Sequence, residues 1–181
     1  MKPAVLPLAA VLAAVTLLPG CETVKGWWSD GPKASASLEP TKGSTVRGTA
    51  NFEQRGDNKV RVVANLSGLR PNGEYGFHIH EAGDCSSGDG MSAKGHFNPF
   101  GKPHGAHNTP EHHAGDLPSL KSDANGNASL TADVDGITVS SGPASIVGRG
   151  LIVHVQPDDF KTQPTGNAGA RSACAVIQRL S

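Results

Sequence analysis

Short runs in which apolar and polar residues alternate recur along the chain from about residue 34 onward. A period of two places successive side chains on opposite faces of an extended chain, so each run predicts a half-buried β-strand. Turn residues such as Arg55–Asn58 and Arg70–Gly73 separate several runs, which favours an antiparallel sandwich or barrel. One helical turn is predicted over Pro143–Val147. The predicted strands are Ser35–Leu38, Thr45–Phe52, Lys59–Leu66, Glu74–Glu81, Ala128–Val134, Gly150–Val155 and Cys174–Leu180.

Two long segments interrupt this rhythm. Residues 82–124 contain almost no strand pattern, and the shorter polar loop Gln156–Arg171 follows later. A loop of more than about 15 residues inside a compact domain is usually functional. The first segment holds five histidines and Cys85 but little apolar sequence, so a metal and a disulfide are its predicted organisers.

Histidine is concentrated near this first segment, since seven of the eight histidines lie between residues 78 and 113. His78 and His80 stand two apart in a predicted strand and therefore face the same side, whereas Phe77 and Ile79 face the core. His154 lies in another predicted strand and, taken alone, is typical of a structural histidine. Imidazole nitrogens suit zinc and copper, and a carboxylate suits zinc, so the pattern predicts a metal site.

The first 20 residues predict a secretion signal. A lysine precedes an apolar run from Ala4 to Leu18, which is shorter than the roughly 20 residues that a spanning helix needs. Leu18–Cys21 resembles the cleavage site of bacterial lipoproteins, which predicts a lipidated Cys21 and a tether over residues 21–35. Plain secretion and a retained membrane anchor are the alternatives. Trp27 and Trp28 in the tether either anchor at a membrane interface or dock on the domain.

Once Cys21 is assigned to lipid, Cys85 and Cys174 remain. Export exposes the chain to an oxidising compartment, which favours a disulfide between them. Such a bond would close a loop of about 90 residues and stabilise the fold by about 4–5 kcal/mol in the chain-entropy model.

The overall charge and composition exclude several classes of protein. The 16 Lys and Arg residues balance the 16 Asp and Glu residues, which excludes a chain-wide basic surface for nucleic acid. The 181 residues suit one domain with a tail, and 36% hydrophobic residues exclude both a multi-span membrane protein and plain disorder. No nucleic-acid partner is expected.

Five stretches of the sequence follow one another along the chain: GFHIHEAGDC (76–85), GHFNP (95–99), HAGDL (113–117), LIVHV (151–155) and GNAGARSAC (166–174). In this order they resemble the copper/zinc superoxide dismutases that bacteria export. The resemblance covers residues 36–181 and implies an all-β, eight-stranded antiparallel Greek-key sandwich or barrel with two long functional loops. It implies copper and zinc as cofactors and dismutation of superoxide to oxygen and hydrogen peroxide. A non-catalytic copper and zinc reservoir on the same fold is the alternative.

The resemblance also assigns the site, residue by residue. The implied copper ligands are His78, His80, His96 and His154. The implied zinc ligands are His96, His104, His113 and Asp116. His96 would bridge the metals and deliver a proton, and Arg171 would attract superoxide beside the copper, with a structural hydrogen-bond role as its alternative. Asp158 would link His78 to His104, and Cys85 and Cys174 would form the disulfide.

Some features stay open at this point. His107 and His112 are either solvated loop residues or an auxiliary metal-capture pair, and Ala175 stands where the family usually has glycine. The expected location is the bacterial cell envelope, facing the periplasm, with the membrane contacted through lipid on Cys21. Glu22 favours the outer membrane. Superoxide is the expected substrate, a homodimer is left open, and protection of the envelope from superoxide is the expected role.

Overall fold

The structure is a computed structural model that describes Met1 and residues 31–181. The predicted signal segment, the lipidation residue Cys21 and the tether tryptophans Trp27 and Trp28 lie outside the described residues, so those predictions stay predictions. Within the described part, no helix has the length and apolarity needed to cross a bilayer. Over residues 31–181 the one helical element is a single 3-10 turn, Met91–Ala93.

Ten strands make up the rest of the regular structure. Apolar residues alternate along the longer strands, so one face of each is buried and the other is exposed. The strands are β1 (Lys33–Pro40), β2 (Arg47–Gln54), β3 (Lys59–Ser67), β4 (Glu74–Tyr75), β5 (Phe77–His80), β6 (Leu120–Lys121), β7 (Ala128–Asp135), β8 (Gly150–His154), β9 (Arg171–Val176) and β10 (Gln178–Arg179).

Eight of these strands form one antiparallel sheet in the order β5-β8-β9-β1-β2-β3-β7, with β10 also paired to β1. The chain crosses from β3 at one side of the sheet to β5 at the other, and returns to β7 beside β3. These crossings are the Greek-key connections that the resemblance implied. The sheet curls into a half-barrel, and the all-β, eight-stranded prediction is confirmed.

The inward side chains fill a single main core that includes Phe52, Phe77, Ile79 and Leu151, all almost fully buried. The strands β4 and β6 form a separate two-stranded sheet. Strands β5 and β8 pair at one side of the large sheet, and because side chains alternate along a strand, their histidines face away from the core that Phe77, Ile79 and Leu151 fill. The loops of residues 81–119 and 155–170 cover that side, as the sequence predicted for two long loops.

The predicted strand Glu74–Glu81 is broken at Gly76. A Cβ at this position would lie 2.7 Å from the Ala168 Cβ and 2.9 Å from the His78 Cε1, so only glycine lets the loop of residues 155–170 approach the strand. The Gly76 amide donates to Gln156 O at 2.8 Å, and its carbonyl accepts from the His154 amide at 2.9 Å. The break therefore brings the second loop onto the histidine strands.

The predicted helical turn over Pro143–Val147 is wrong. Gly142 and Ser145 close a turn, with the Ser145 amide donating to Gly142 O at 3.1 Å, and the chain then pairs with Thr138. The Ile146 amide donates to Thr138 O at 3.0 Å, and the Ile146 side chain is fully buried. Extended pairing satisfies the backbone and buries the isoleucine, which a single helical turn would not achieve together.

Candidate metal centre

Two histidines of the centre lie in β5, and their directions follow from the strand alternation. Phe77 and Ile79 point into the core, whereas His78 and His80 point to the loop side, where both are fully buried. Strand β8 pairs with β5 in the register His78–Ile152 and ends at His154. The third strand histidine thus lies beside the first two.

The loop of residues 81–119 is held against the free edge of β5 by backbone hydrogen bonds. The Ile79 amide donates to Gly115 O at 2.8 Å, and Ile79 O accepts from the Phe97 amide at 2.8 Å. A Cβ at Gly115 would overlap Ile79 O, so this close approach requires glycine. As a result, His96 stands opposite His80 and Asp116 stands opposite His78.

Four imidazoles form the first group, His78, His80, His96 and His154, whose candidate ligand atoms all lie within 4.8 Å of one another. Each strand histidine has one nitrogen bound to an acceptor, which assigns the proton to that nitrogen and leaves a lone pair on the other. His80 Nδ1 donates to Lys94 O at 2.8 Å, and His154 Nδ1 donates to Gly169 O at 3.0 Å. His78 Nε2 donates to Asp158 Oδ2 at 2.7 Å.

The second group surrounds one carboxylate oxygen and comprises His96, His104, His113 and Asp116. Asp116 Oδ1 lies 2.9 Å from His96 Nδ1, 3.1 Å from His104 Nδ1 and 3.5 Å from His113 Nδ1. The other oxygen, Oδ2, accepts from the backbone amides of Gly105 at 3.1 Å and His113 at 2.8 Å. These bonds fix the carboxylate with Oδ1 towards the three imidazoles.

These distances fit a tetrahedral metal. Zinc bonds to nitrogen of about 2.0–2.1 Å place the four ligand atoms of a tetrahedron about 3.3–3.4 Å apart. The observed separations run from 2.9 to 3.5 Å, and His113 Nδ1 lies 3.4 Å from His96 Nδ1.

Unsatisfied buried nitrogens provide a second test of fit. Among the described residues, five nitrogens of these groups are buried and have no hydrogen-bond partner, although buried polar atoms normally have one. In His78, His80, His96 and His154 the unpartnered nitrogen is the one left with a lone pair once the hydrogen bond of the ring is assigned, whereas His104 Nδ1 faces Asp116 Oδ1 at 3.1 Å. One cation bound in each group would satisfy all five. They are His78 Nδ1, His80 Nε2, His96 Nε2, His104 Nδ1 and His154 Nε2.

His96 belongs to both groups. Its Nδ1 faces Asp116 in the second group, and its Nε2 is one of the unpartnered nitrogens of the first. The ring lies 4.0 Å from His78 and 5.3 Å from His104, measured between centroids. One imidazole thus separates two places where a cation can bind.

Asp158 connects the two groups through the ring nitrogens that do not face a candidate cation position. Its Oδ2 accepts from His78 and its Oδ1 accepts from His104 Nε2 at 2.9 Å, so one carboxylate fixes a ring in each group. A Cβ at Gly166 would overlap Asp158 Oδ1, and Gly166 has a φ of 64°. Glycine at this position therefore leaves room for the carboxylate.

Burial keeps three rings of the first group, His80, His96 and His154, neutral. Burial lowers the pKa of His96 to about 4, although Asp116 opposes it, and burial together with His78 lowers the pKa of His154 to about 3. Burial likewise holds the pKa of His80 well below its usual value. At neutral pH these rings carry lone pairs that can bind a metal.

The two carboxylates of the centre stay charged, whereas the three histidine rings just described are neutral. Burial raises the pKa of Asp116 and of Asp158, but hydrogen bonds with the histidines outweigh burial and hold both well below the usual range. Burial lowers the pKa of His104, yet its bonds with Asp116 and Asp158 raise it to about 9. In the metal-free protein His104 therefore keeps a proton that a metal cation would displace.

Arg171, the first residue of β9, lies at the rim of the first group. Its Nη1 donates to Gly90 O and its Nη2 donates to Lys94 O, the same carbonyl that accepts from His80. Burial lowers the Arg171 pKa while Asp89 opposes the shift. These bonds match the structural alternative for Arg171, and they also hold its charge beside the ring of His80.

The remaining predicted residues have simpler settings. Cys85 and Cys174 form a disulfide that spans 89 residues of sequence and ties the first loop to β9. His112 Nδ1 donates to His113 O at 2.7 Å, and burial with the nearby His112 lowers the pKa of His107. Neither residue belongs to a group of three or more possible ligands among the described residues.

Sequence reasoning missed two residues that support the centre. Lys94 acts through its carbonyl, and Gln163 acts through its amide, which accepts from the His104 backbone amide at 2.8 Å and donates to His104 O at 2.9 Å. Lys94 carries no signal in the sequence because any residue has a carbonyl. Gln163 lies in a polar loop without periodicity, which hides its role.

Fold and site together define an all-β protein with two adjoining groups of candidate metal ligands that have one imidazole in common. A sequence profile described as copper/zinc superoxide dismutase matches residues 46–177. Superoxide dismutase [Cu-Zn] 2 of Aquifex aeolicus (strain VF5) is 39% identical over 175 residues, covering 94% of this chain and 98% of that protein. A crystal structure of the clock protein EA4 superposes with a TM-score of 0.75 and 42% identity, covering 86% of this chain and 98% of that one.

The chain therefore belongs to the copper/zinc superoxide dismutase family. It is an oxidoreductase with superoxide as its substrate and copper and zinc as its cofactors. The bacterial relative also agrees with the bacterial origin that the sequence indicated.

Proposed function

We propose that copper occupies the first group and zinc the second, with His96 binding both metals. The observation that carries this assignment is the set of five buried, unpartnered nitrogens, four of which have a lone pair left free by a hydrogen bond at the opposite ring position. Four imidazoles and no carboxylate suit a metal that changes oxidation state, whereas three imidazoles and Asp116 suit zinc.

When bound, copper supplies one-electron redox chemistry, by which two superoxide ions and two protons become oxygen and hydrogen peroxide, and zinc supplies a fixed positive charge. The chain supplies a proton path at His96. Its Nε2 lies in the first group and can take up a proton and deliver it to the departing peroxide. Asp116 near Nδ1 keeps the ring oriented throughout.

Arg171 attracts and orients the substrate. Its guanidinium is held by the carbonyls of Gly90 and Lys94, so it stays beside His80, and no carboxylate of residues 31–181 is hydrogen-bonded to it. A fixed cation at this place favours a small anion over neutral molecules.

Spin coupling tests whether His96 bridges the metals. Protein loaded with copper in the first group and cobalt(II) in place of zinc should show a copper electron paramagnetic resonance signal that the cobalt suppresses. His96→Ala should restore the uncoupled copper signal while both metals remain measurable by elemental analysis. Coupling that survives in His96→Ala would overturn the bridge, and an uncoupled signal in the unaltered protein would do the same.

The cellular location is a separate part of the proposal. The secretion-type segment 1–20 and the lipoprotein-like Leu18–Cys21 support export and lipid attachment at Cys21, followed by a tether and the catalytic domain of residues 36–181. Glu22 after the cysteine supports the outer membrane. In that place the enzyme would remove superoxide from the cell envelope.

Fractionation of bacteria that express the full chain tests this location. The protein should sediment with membranes and incorporate a labelled fatty acid, and Cys21→Ser should lose the label and move to the soluble envelope fraction. Cys85→Ser, a matched change of a different cysteine, should keep the label. A labelled Cys21→Ser protein would contradict lipid attachment at this residue.

A further inference from the structure

Lys94 has a backbone conformation that lysine rarely adopts. Its φ is 63° and its ψ is −148°, close to a region that is essentially restricted to glycine. Strained residues persist only where the surroundings impose the conformation. Lys94 therefore needs an explanation for its conformation and a second one for its residue type.

The carbonyl explains the conformation. Lys94 O accepts hydrogen bonds from His80 Nδ1 and from Arg171 Nη2, so it must point towards the centre. Glycine would present the same carbonyl without strain, because the carbonyl belongs to the backbone. The two hydrogen bonds thus account for the turn of the chain and leave the lysine side chain unexplained.

Stability does not explain the side chain either. The Lys94 Nζ lies 3.4 Å from Glu81 Oε1, and the two side chains are 62% and 55% exposed. Ion pairs this exposed contribute little to folding. A lysine here is strained and gains only a weak pair, so its value lies in where it puts a charge.

The backbone of Lys94 keeps that charge within one side-chain length of residues that contact the first group. The ammonium is tethered within about 6 Å of its own Cα by bonds of about 1.5 Å, and the carbonyl of the same residue contacts both Arg171 and His80. Among the described residues, the charged side chains near Lys94 include Glu81, Arg171, Asp89, which interacts with Arg171, and Arg149, which donates to Glu81 O at 2.7 Å.

We propose that Lys94 is a second guiding cation for superoxide, placed beside Arg171 and restrained by its pairing with Glu81. The proposal rests on the assignment of copper to the first group. A unit charge about 10 Å from the approaching anion, in water, changes the association rate by about twofold. Ionic strength above about 0.5 M screens such a charge almost completely.

Dismutation rates of the copper- and zinc-loaded variants test the charge. At 10 mM ionic strength Lys94→Ala should be about twofold slower than the unaltered protein, Lys94→Arg should keep the rate, and Glu81→Gln should be about twofold faster. All differences should vanish at 0.5 M. Rates of Lys94→Ala and Glu81→Gln equal to that of the unaltered protein at 10 mM would overturn the proposal.

A matched pair elsewhere controls for overall charge. Lys59 and Asp135 are also 3.4 Å apart and exposed, and they lie on β3 and β7, strands that carry no residue of the centre. Lys59→Ala and Asp135→Asn make the same changes in net charge and should leave the rate unchanged. If these variants shift the rate as much as the Lys94 and Glu81 variants do, net charge is responsible and the proposal is wrong.

Two measurements other than turnover separate the side chain from the backbone. Lys94→Gly should unfold at a higher temperature than Lys94→Ala, because only glycine relieves the strain, yet both should be equally slow at 10 mM. Both should bind azide, a small anionic probe, about twofold more weakly by absorbance titration. A Lys94→Gly enzyme as fast as the unaltered protein would overturn the proposal. If the unaltered protein loaded with copper and zinc does not dismutate superoxide, the proposed function itself is overturned.

Discussion

Replacing Asp158 with asparagine tests whether one carboxylate sets the tautomers on both sides of the centre. Asp158 accepts from His78 Nε2 at 2.7 Å, from His104 Nε2 at 2.9 Å and from the Phe160 amide at 2.7 Å. A carboxylate has two acceptor oxygens for these three donors, whereas asparagine has one oxygen and a donating NH2 group. In Asp158→Asn at least one imidazole therefore faces a donor and moves its proton to Nδ1, the atom proposed to bind metal.

The expected decrease in metal affinity can be worked out from the loss of one acceptor oxygen. Removing a residue that orients a ligand typically lowers metal affinity 10- to 100-fold, or about 1.4–2.7 kcal/mol at 1.36 kcal/mol per decade. Zinc should be lost first. His78 is held in β5 by its pairing with Ile152, whereas the His104 backbone is held in its loop by the Gln163 amide.

Competition with chelators of known affinity, read by elemental analysis, measures both metals. Asp159→Asn is the matched control, because this neighbouring carboxylate is exposed and bonds only to Lys161 and Thr162 among the described residues. We expect the control to bind both metals normally. Affinities of Asp158→Asn that stay within twofold of the unaltered protein for both metals would refute the tautomer argument.

Three further outcomes are expected. Arg171→Ala should keep its metals but lose about 10- to 100-fold in dismutation rate at neutral pH, as for a charged hydrogen-bond donor; an unchanged rate in pulse radiolysis would contradict its role. Reducing Cys85–Cys174 should lower the unfolding free energy by about 4–5 kcal/mol and lower metal occupancy; unchanged metal content after verified reduction would contradict this. The metal-free protein should lose stability, in denaturant titrations, as the pH falls from about 6.5 towards 4 and 3. The unfolded chain binds protons there that buried His96 and His154 do not. His104, with its pKa raised to about 9, has the opposite sign: its contribution is complete below pH 6.5 and disappears as the pH rises to about 9. A flat acid limb would contradict the lowered pKa values.

The strand part of the centre could be predicted from the sequence because periodicity determines direction. His78 and His80 share a face with Phe77 and Ile79 on the other, as the spacing of two required. The loop histidines follow no period, so only the resemblance to a family could group His96 with residues as distant in sequence as His154. The contacts that position these histidines are backbone hydrogen bonds between the loop and β5. Such bonds do not depend on residue type and therefore leave no pattern in the sequence.

Other features escaped prediction for different physical reasons. Strand β6 has two residues and pairs only with the two residues of β4, so it is too short to show a period. Pro143–Val147 has the composition of a helical turn, but burial of Ile146 and pairing with Thr138 prevail. Tertiary contacts overrule local preference most easily in segments this short.

The two long loops have different roles at the metal centre, and the positions of the hydrogen-bond acceptors show why. The loop of residues 155–170 contributes no residue to either group of candidate ligands, yet it supplies Asp158 for His78 and His104 and the Gly169 carbonyl for His154. Those acceptors decide which nitrogen of each ring is left to face a metal, so this loop sets the binding atoms of three histidines that it does not contain. The first loop therefore provides ligands and the second provides their orientation. A family of sequences that varied only in the second loop would for this reason vary in metal affinity while keeping every ligand.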